Sequence, residues 1–202
     1  MSPVQVYLIR HGETAWSLTG QHTGRSDLAL TEHGEAEARE LAPQLARIRF
    51  EKVLVSPRWR ARRTCELSGL ADGSEIEPDL AEWDYGDYEG QISAEIRKTH
   101  PDWSIWRDGC PGGELPTDVT VRTDRLIARL ITMQGNVALF SHGQFGASLA
   151  TRWIGLPIIN GQHFVLHTAS LSILGQEPGQ PNVRVITLWN DAPATRRLEN
   201  ED

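Results

Sequence analysis

The sequence predicts an α/β fold, a three-layer sandwich in which a mostly parallel sheet carries helices on both faces and ends in an antiparallel edge. Three observations lead to this prediction. Short apolar runs are typical of strands buried on both faces of a sheet, amphipathic helical patterns lie between them, and two β-type runs near the C-terminus flank a turn-rich segment. At 202 residues the chain is long enough for one well-buried domain. We therefore predict a single domain over residues 1–202.

The elements follow in chain order. The predicted buried strands are residues 4–9, 53–55 and 137–140. The predicted amphipathic helices are residues 38–48, 119–133 and 145–154. Pro43 should kink or interrupt the first of these helices, because proline cannot donate the helical hydrogen bond. Ser56 and Pro57 predict a further helix, with serine at the N-cap and proline at the first helical position.

Two segments complete the predicted fold. Residues 170–174 and 183–188 flank the sequence GQEPGQPN, which predicts a hairpin at the edge of the sheet. Residues 87–118 show no clear periodicity, and we interpret them as an irregular excursion over the active site.

Composition excludes several classes of protein. The formal net charge is −7, which argues against a nucleic-acid partner or an anionic membrane face. Cys65 and Cys110 lie outside any CxxC spacing, so neither a disulfide framework nor structural zinc is expected. The sequence shows no secretory signal pattern and no apolar run long enough to span a bilayer. The predicted location is cytoplasmic, with the oligomeric state left open and an oligomer allowed.

Candidate functional residues follow three of the predicted strands. Arg10 and His11 follow the first, a run of arginines that begins at Arg58 follows the second, and His142 follows the third. Ligands bind open α/β sheets beyond the carboxyl ends of the strands, so these side chains should converge. Arginine matches phosphate oxygens bidentately, and neutral histidine is a competent nucleophile. A phosphoryl group is the natural ligand of such a pocket.

Four motifs then resemble those of the histidine phosphatase superfamily, in its phosphoglycerate mutase-like branch. They occur in that family's order and are RHGET at 10–14, RAxxT at 60–64, the acidic segment LAEWDYG at 80–86 and SHG at 141–143. The resemblance implies a phosphoglycerate mutase-like fold, no metal and no cofactor.

The resemblance also implies roles for five catalytic residues. His11 would be the phosphorylated nucleophile, Glu82 the general acid and then the base for water, and the other three would hold phosphoryl oxygens; these three are Arg10, Arg60 and His142. The alternatives to Arg60 are Arg58 and Arg62, and the alternatives to Glu82 are Asp84 and Glu89.

A second set is expected to contact the substrate: Ser17, Gln21, Thr23, Gly24, Tyr85 and Gln144. For Gln144, the contact would be a backbone N–H reaching a phosphoryl oxygen. Gly12 and Gly143 are expected to let backbone N–H groups approach the phosphate, and Trp103 and Trp106 to line the mouth of the pocket. We interpret the other five histidines as structural or surface residues: His22, His33, His100, His163 and His167. His163 and His167 have the i, i+4 spacing of helical metal ligands, but no third ligand accompanies them.

These features predict a metal-independent phosphatase that hydrolyses a small phosphorylated metabolite, a sugar phosphate or bisphosphate, through a phosphohistidine. The segment 17–24 resembles that of sedoheptulose-1,7-bisphosphatase-type members of the family. The alternative is a 2,3-bisphosphoglycerate-dependent phosphoglycerate mutase. Mutases have a longer interval between the acidic and SHG motifs, and asparagine where this chain has Ser17. A non-catalytic module that binds a phosphorylated ligand is a third and less favoured interpretation.

Overall fold

The structure, a computed structural model, describes residues 3–192; residues 1–2 and 193–202 of the predicted domain lie outside the described residues. The strands are β1 (Gln5–Arg10), β2 (Phe50–Val55), β3 (Glu75–Ile76), β4 (Asn136–Ser141), β5 (Leu171–Glu177) and β6 (Gln180–Asp191). The helices are α1 (Ala15–Thr19), α2 (Glu32–Glu40), α3 (Ala42–Leu45), α4 (Trp59–Leu67), α5 (Ser93–Thr99), α6 (Ile105–Asp108), α7 (Pro116–Leu130) and α8 (Gly143–Trp153). Short 3₁₀ helices cover Pro78–Leu80, Gly86–Tyr88 and Ile158–His163.

The six strands form one sheet in the order β3-β2-β4-β1-β5-β6. Strands β3, β2, β4 and β1 pair in parallel, whereas β5 pairs antiparallel with β1 and β6 pairs antiparallel with β5. The predicted parallel sheet and its antiparallel edge hairpin are therefore confirmed. The two-residue strand β3 is exposed, and its sequence carries no apolar run that could have predicted it.

Helices cover both faces of the sheet, as predicted. On one face, Leu8 and Leu139 share a buried cluster with residues of α7 and α8. On the other face, Ile9 and Phe140 share a second cluster with Leu41, which follows α2, and with residues of α3 and α4. Alternate residues of β1 and β4 thus point to opposite cores, which explains why both strands are apolar throughout.

The predicted interruption near Pro43 is confirmed, because Leu41 separates α2 from α3 and Pro43 lies in the first turn of α3. The prediction of Ser56 as a helix N-cap is wrong. Helix α4 begins at Trp59, with Arg58 in the N-cap position and no side-chain capping bond.

The segment 87–118 is less irregular than predicted. It contains α5, α6 and the first residues of α7, although the helices are short and the turns between them are long. No helix among residues 3–192 is long and apolar enough to cross a membrane.

Candidate active site

The site lies at the carboxyl ends of three adjacent parallel strands. His11 follows β1, Ser56 follows β2 and His142 follows β4, which lies between the other two strands. The His11 N–H donates to Ser141 O (3.0 Å), which ties the first strand end to the third. The ring centroids of His11 and His142 are 5.2 Å apart. The predicted convergence of these two histidines is present in the structure.

His11 is a buried imidazole that is held in one tautomer. Its Nδ1 lies 2.7 Å from Gly12 O, and a carbonyl oxygen only accepts, so Nδ1 carries the proton. Burial lowers the pKa of His11 well below its usual value, and the charges of Arg60 and Arg10 lower this pKa further. The ring is therefore neutral near pH 7, with its lone pair on Nε2.

His142 is fully buried beside His11. Its Nε2 lies 2.7 Å from Ser56 Oγ, and its Nδ1 is buried with no hydrogen-bond partner among the described residues. Burial lowers the pKa of His142 well below its usual value, and the charge of Arg60 adds to the effect. This ring also is neutral near pH 7.

Two arginines supply the positive charge. Arg60 is fully buried, and its terminal nitrogens donate to Ser26 O (2.9 Å) and Thr23 O (2.8 Å). Arg10 donates from Nη1 to Leu166 O. In both guanidinium groups the Nε–H is buried and has no acceptor in the part of the chain that is described. A buried donor without an acceptor costs free energy, so these groups indicate a place for an anion.

Of the two alternatives to Arg60, one remains near the site. The charge of Arg58 lowers the pKa of His142, and the Arg58 Nε is a further buried donor without a partner among residues 3–192. Arg62 is exposed, and its guanidinium carbon lies 5.3 Å from the centroid of the Trp59 ring. It does not line the cavity that opens at this site. Arg58 thus accompanies Arg60 at this site, whereas Arg62 does not.

Glu82 is a buried carboxylate at the N-terminus of α8. Its Oε1 accepts the backbone N–H groups of Trp83 (2.9 Å) and Phe145 (2.8 Å), whereas Oε2 accepts that of Gln144 (3.0 Å). These bonds leave one lone pair of the carboxylate, on Oε2, without a donor among the described residues.

The two alternatives to Glu82 are engaged elsewhere. Asp84 forms an ion pair with Arg25 at 2.6 Å. Glu89 accepts the N–H groups of Gly24 and Ser26. Glu82 lines the cavity at this site, whereas Asp84 and Glu89 do not.

A cavity of about 390 Å³ opens over His11, Arg10 and Glu82. Five of the six predicted substrate contacts line it: Ser17, Gln21, Thr23, Tyr85 and Gln144. Gly24 does not. Its N–H donates to Glu89, and a Cβ at this position would lie 2.5 Å from Trp83 O, so Gly24 packs behind the cavity wall.

Two of these cavity residues already use their polar groups. The Ser17 hydroxyl accepts the Thr14 N–H (2.8 Å) and donates to Thr14 O, which closes the first turn of α1. The Gln21 amide donates to Gly90 O (2.8 Å), and its oxygen accepts from the Thr19 hydroxyl (2.6 Å). Both side chains therefore shape the wall more than they offer free polar atoms.

The expectations for backbone N–H groups need two corrections. The Gln144 N–H is bound to Glu82, so its side chain and not its N–H is available. The Gly12 N–H donates to the Thr64 hydroxyl (3.0 Å) and cannot reach a ligand. The Gly143 N–H has no acceptor among the described residues and lies at the cavity wall, as expected.

Sequence reasoning missed part of the wall. His22 and Ser93 line it, their side chains joined by a 3.2 Å hydrogen bond, and Gln162 and Leu166 come from the segment after α8. The only sequence signal for His22 was its position inside the segment 17–24. The segment after α8 carries no motif, so nothing in the sequence pointed to it.

Of the two tryptophans expected at the mouth of the pocket, one is there. Trp106 lines the cavity. Trp103 is buried behind it, where its ring packs edge-on against His22 at 5.6 Å, so this part of the expectation is wrong. Among the described residues, no group of three or more histidine, cysteine or acidic side chains is placed to hold a metal ion.

Comparison with known proteins agrees with this geometry. The profile of the histidine phosphatase superfamily (branch 1) matches residues 6–191. An acid phosphatase of Mycobacterium tuberculosis is 40% identical over 188 residues, covering 91% of this chain and 92% of its own. The sedoheptulose 1,7-bisphosphatase of Saccharomyces cerevisiae is 34% identical, covering 75% of this chain and 68% of its own. The solved structure of a Mycobacterium tuberculosis open reading frame product superimposes with a TM-score of 0.86 at 38% identity, covering 93% of this chain and 97% of its own.

Proposed function

The chain belongs to branch 1 of the histidine phosphatase superfamily, and from this premise we propose that it hydrolyses a small phosphorylated metabolite of the sugar-phosphate type through a phosphohistidine on His11. Its relatives include an acid phosphatase and a sugar bisphosphatase, and the chain is a phosphoric monoester hydrolase. The single observation that carries the finer proposal is a neutral, oriented His11 near buried donors that have no acceptor among residues 3–192.

In the first step, the lone pair on His11 Nε2 attacks phosphorus. The phosphoryl oxygens lie against donors that have no partner in the described structure. These are the Nε–H groups of Arg10, Arg58 and Arg60, Nδ1 of His142 and the N–H of Gly143. The bond from phosphorus to the ester oxygen breaks, and its electron pair goes to that oxygen. Glu82 supplies a proton from Oε2, so the leaving group departs as a neutral alcohol.

In the second step, water attacks the phosphorus of the phosphohistidine. Glu82, now a carboxylate, accepts a proton from this water at Oε2. The N–P bond breaks, its electron pair returns to His11 Nε2, and inorganic phosphate leaves. The reaction requires positioning and charge stabilisation, which the chain's own donors provide.

The experiment is a phosphate-release assay in EDTA over a panel of sugar phosphates, sugar bisphosphates and phosphoglycerates, for the wild type and His11→Ala. The proposal expects release by the wild type, loss in His11→Ala, and an acid-labile phosphoenzyme that is trapped by rapid quenching of the wild type alone. Turnover that persists in His11→Ala would exclude the phosphohistidine. Phosphoryl transfer to a second phosphoglycerate without release of phosphate would instead establish the mutase.

A further inference from the structure

Positive charge in the cavity is confined to one end. Of the described residues that line it, Arg10 is the only arginine or lysine. Arg60 lies behind the same end, where its charge, like that of Arg10, lowers the pKa of His11. This cluster matches one phosphoryl group, the one that is transferred.

The remainder of the wall is uncharged, and it combines polar side chains with the apolar side chains of Trp106, Phe164, Val165 and Leu166. The side chains of Gln144 and Gln162 line it, together with the phenol of Tyr85, which makes no hydrogen bond among the described residues. The acidic residue of the lining is Glu82, and it lies at the reacting end.

His22 adds a polar ring to this wall without adding charge. It stacks on Tyr85 with centroids 4.5 Å apart, and its Nε2 bonds the Ser93 hydroxyl. Burial lowers the pKa of His22 to about 4, so the ring is neutral at physiological pH. Its Nδ1 has no hydrogen-bond partner in the described part of the chain. A neutral imidazole linked to a serine hydroxyl can donate or accept, as a substrate hydroxyl requires.

Two arginines near this wall contact neighbouring groups. Arg25 forms an ion pair with Asp84, and the Nε of Arg97 donates to Trp103 O (3.1 Å). Neither lines the cavity. A second phosphate placed against this wall would lose water and contact no cation among the described residues of the lining, which is costly for a dianion.

We infer that the cavity selects a phosphomonoester with one phosphate, whose alcohol portion is uncharged and bears hydroxyl groups, in preference to a bisphosphate or a phosphorylated carboxylic acid. This inference rests on the proposed function and narrows it. It departs from the bisphosphate named for the yeast relative, and it makes the neutral wall, to which His22 belongs, the part of the site that determines specificity.

The test uses the hydrolysis of p-nitrophenyl phosphate as a reporter and measures inhibition by two matched pairs. Fructose 1-phosphate and fructose 1,6-bisphosphate differ by one phosphate, and glycerol 3-phosphate and 3-phosphoglycerate differ by one carboxylate. In each pair, the member whose only charged group is one phosphate is expected to bind about tenfold more tightly than its partner, which corresponds to roughly 1.4 kcal/mol, and more tightly than inorganic phosphate.

The outcomes separate the inference from the function on which it rests. If the reporter is not hydrolysed, or is hydrolysed equally by His11→Ala, the proposed function fails. If the reporter reaction depends on His11 but the member with the second charged group binds as tightly as its monophosphate partner or better in each pair, the inference is overturned. It is also overturned if neither member binds more tightly than inorganic phosphate.

A charge-insertion variant tests the wall directly. The Gln162 side chain is exposed at the cavity, so Gln162→Lys places a cation there without burying it. This variant should shift the ratio of the inhibition constants of the two fructose phosphates about fivefold in favour of the bisphosphate, a surface-charge effect of about 1 kcal/mol. Gln134→Lys, which makes the same charge change just before β4 at the opposite end of the sheet, is the control and should leave the ratio unchanged. If Gln162→Lys and Gln134→Lys give the same ratio of inhibition constants, the charge of the wall does not determine which fructose phosphate binds more tightly, and the inference is overturned.

Discussion

The Ser56 hydroxyl lies 2.7 Å from Nε2 of His142, and both groups are fully buried. When Ser56 donates this hydrogen bond, the proton of the neutral imidazole resides on Nδ1. Nδ1 is the buried nitrogen that has no partner among the described residues. In this tautomer His142 is a neutral donor at the place where a phosphoryl oxygen is expected, because the pKa of His142 is too low for the ring to be charged. A neutral donor orients the phosphoryl group without competing with His11 for a proton.

We predict that Ser56→Ala lowers kcat/KM about tenfold, because His142 loses the hydrogen bond that fixes its tautomer, a loss of about 1–2 kcal/mol. Steady-state kinetics measure the effect. Ser68→Ala is the matched control, since Ser68 is another buried serine, and its hydroxyl donates to Cys65 O (2.9 Å) away from the cavity. Both variants should lose similar stability, but only Ser56→Ala should lose activity. Equal activity in the two would remove Ser56 from the site.

A second prediction concerns the proton donor. Glu82→Gln should slow the hydrolysis of an alkyl phosphate by about 100-fold or more, because an alkoxide leaves poorly without a proton. It should slow p-nitrophenyl phosphate far less, since nitrophenolate leaves unassisted. The measurement is the ratio of kcat/KM for the two substrates.

Glu89→Gln is the control for the acid. Glu89 holds the N–H groups of Gly24 and Ser26, so its replacement perturbs the wall around Arg60 without touching a proton donor. Both substrates should slow by the same factor. If Glu89→Gln changes the ratio of kcat/KM for the two substrates and Glu82→Gln does not, the proton donor is Glu89 and not Glu82.

A third prediction concerns Gly12 in the first motif, which we expect to be required for packing and not for phosphate binding. A Cβ on Gly12 would lie 2.3 Å from Gly34 O, a backbone atom at the start of α2 that cannot move aside cheaply. Gly12→Ala should therefore lower the free energy of unfolding by about 1–3 kcal/mol, as measured by urea denaturation. Gly175→Ala, where a Cβ would meet nothing within 4 Å, should be close to neutral. A fully stable Gly12→Ala would show that the backbone relaxes at this contact.

The residues that sequence alone could place are those whose position follows from a strand end. His11 and His142 each come directly after an apolar run, and the order of parallel strands brings such ends together. Glu82 was reached through the resemblance to the family, since nothing local distinguishes it from Asp84. What distinguishes it is three N–H groups, two of them from α8, a helix more than 60 residues along the chain.

The wrong predictions for Ser56 and Gly12 share one cause. The neighbouring sequence favours one role for each residue, but a hydrogen bond to a residue distant along the chain gives it another. Ser56 has the sequence of a helix cap but bonds His142 across the sheet. Gly12 follows His11 in the first motif, where its N–H was expected to approach the phosphate, but this N–H is bound to Thr64. The segment after α8 reaches the cavity because Leu166 O accepts from Arg10, a contact that no periodicity or motif encodes.

The last prediction concerns the dependence of stability on pH. Burial lowers the pKa of His22 to about 4; the charge of Glu89 opposes the shift and that of Arg97 adds to it. In the unfolded chain this pKa is near 6.5, so between these values the unfolded state binds more protons than the folded state. The stability linked to a neutral His22 is therefore fully present above pH 6.5 and is lost as the pH falls toward 4, by about 1 kcal/mol per pH unit.

His22→Gln keeps a neutral polar group but removes this titration. It should lower the free energy of unfolding at every pH, because the stacking on Tyr85 and the bond to Ser93 are weakened. The decisive quantity is the slope of this free energy against pH, measured by urea denaturation at half-unit steps. Between pH 6 and 4.5 the slope of the variant should be shallower than that of the wild type by about 1 kcal/mol per pH unit. Above pH 8 the two slopes should coincide, because both states of the wild type then hold a neutral His22. Parallel slopes across the acidic range would mean that the folded protein accepts a proton at His22 as readily as the unfolded chain, and the cavity wall would then carry positive charge at mildly acidic pH.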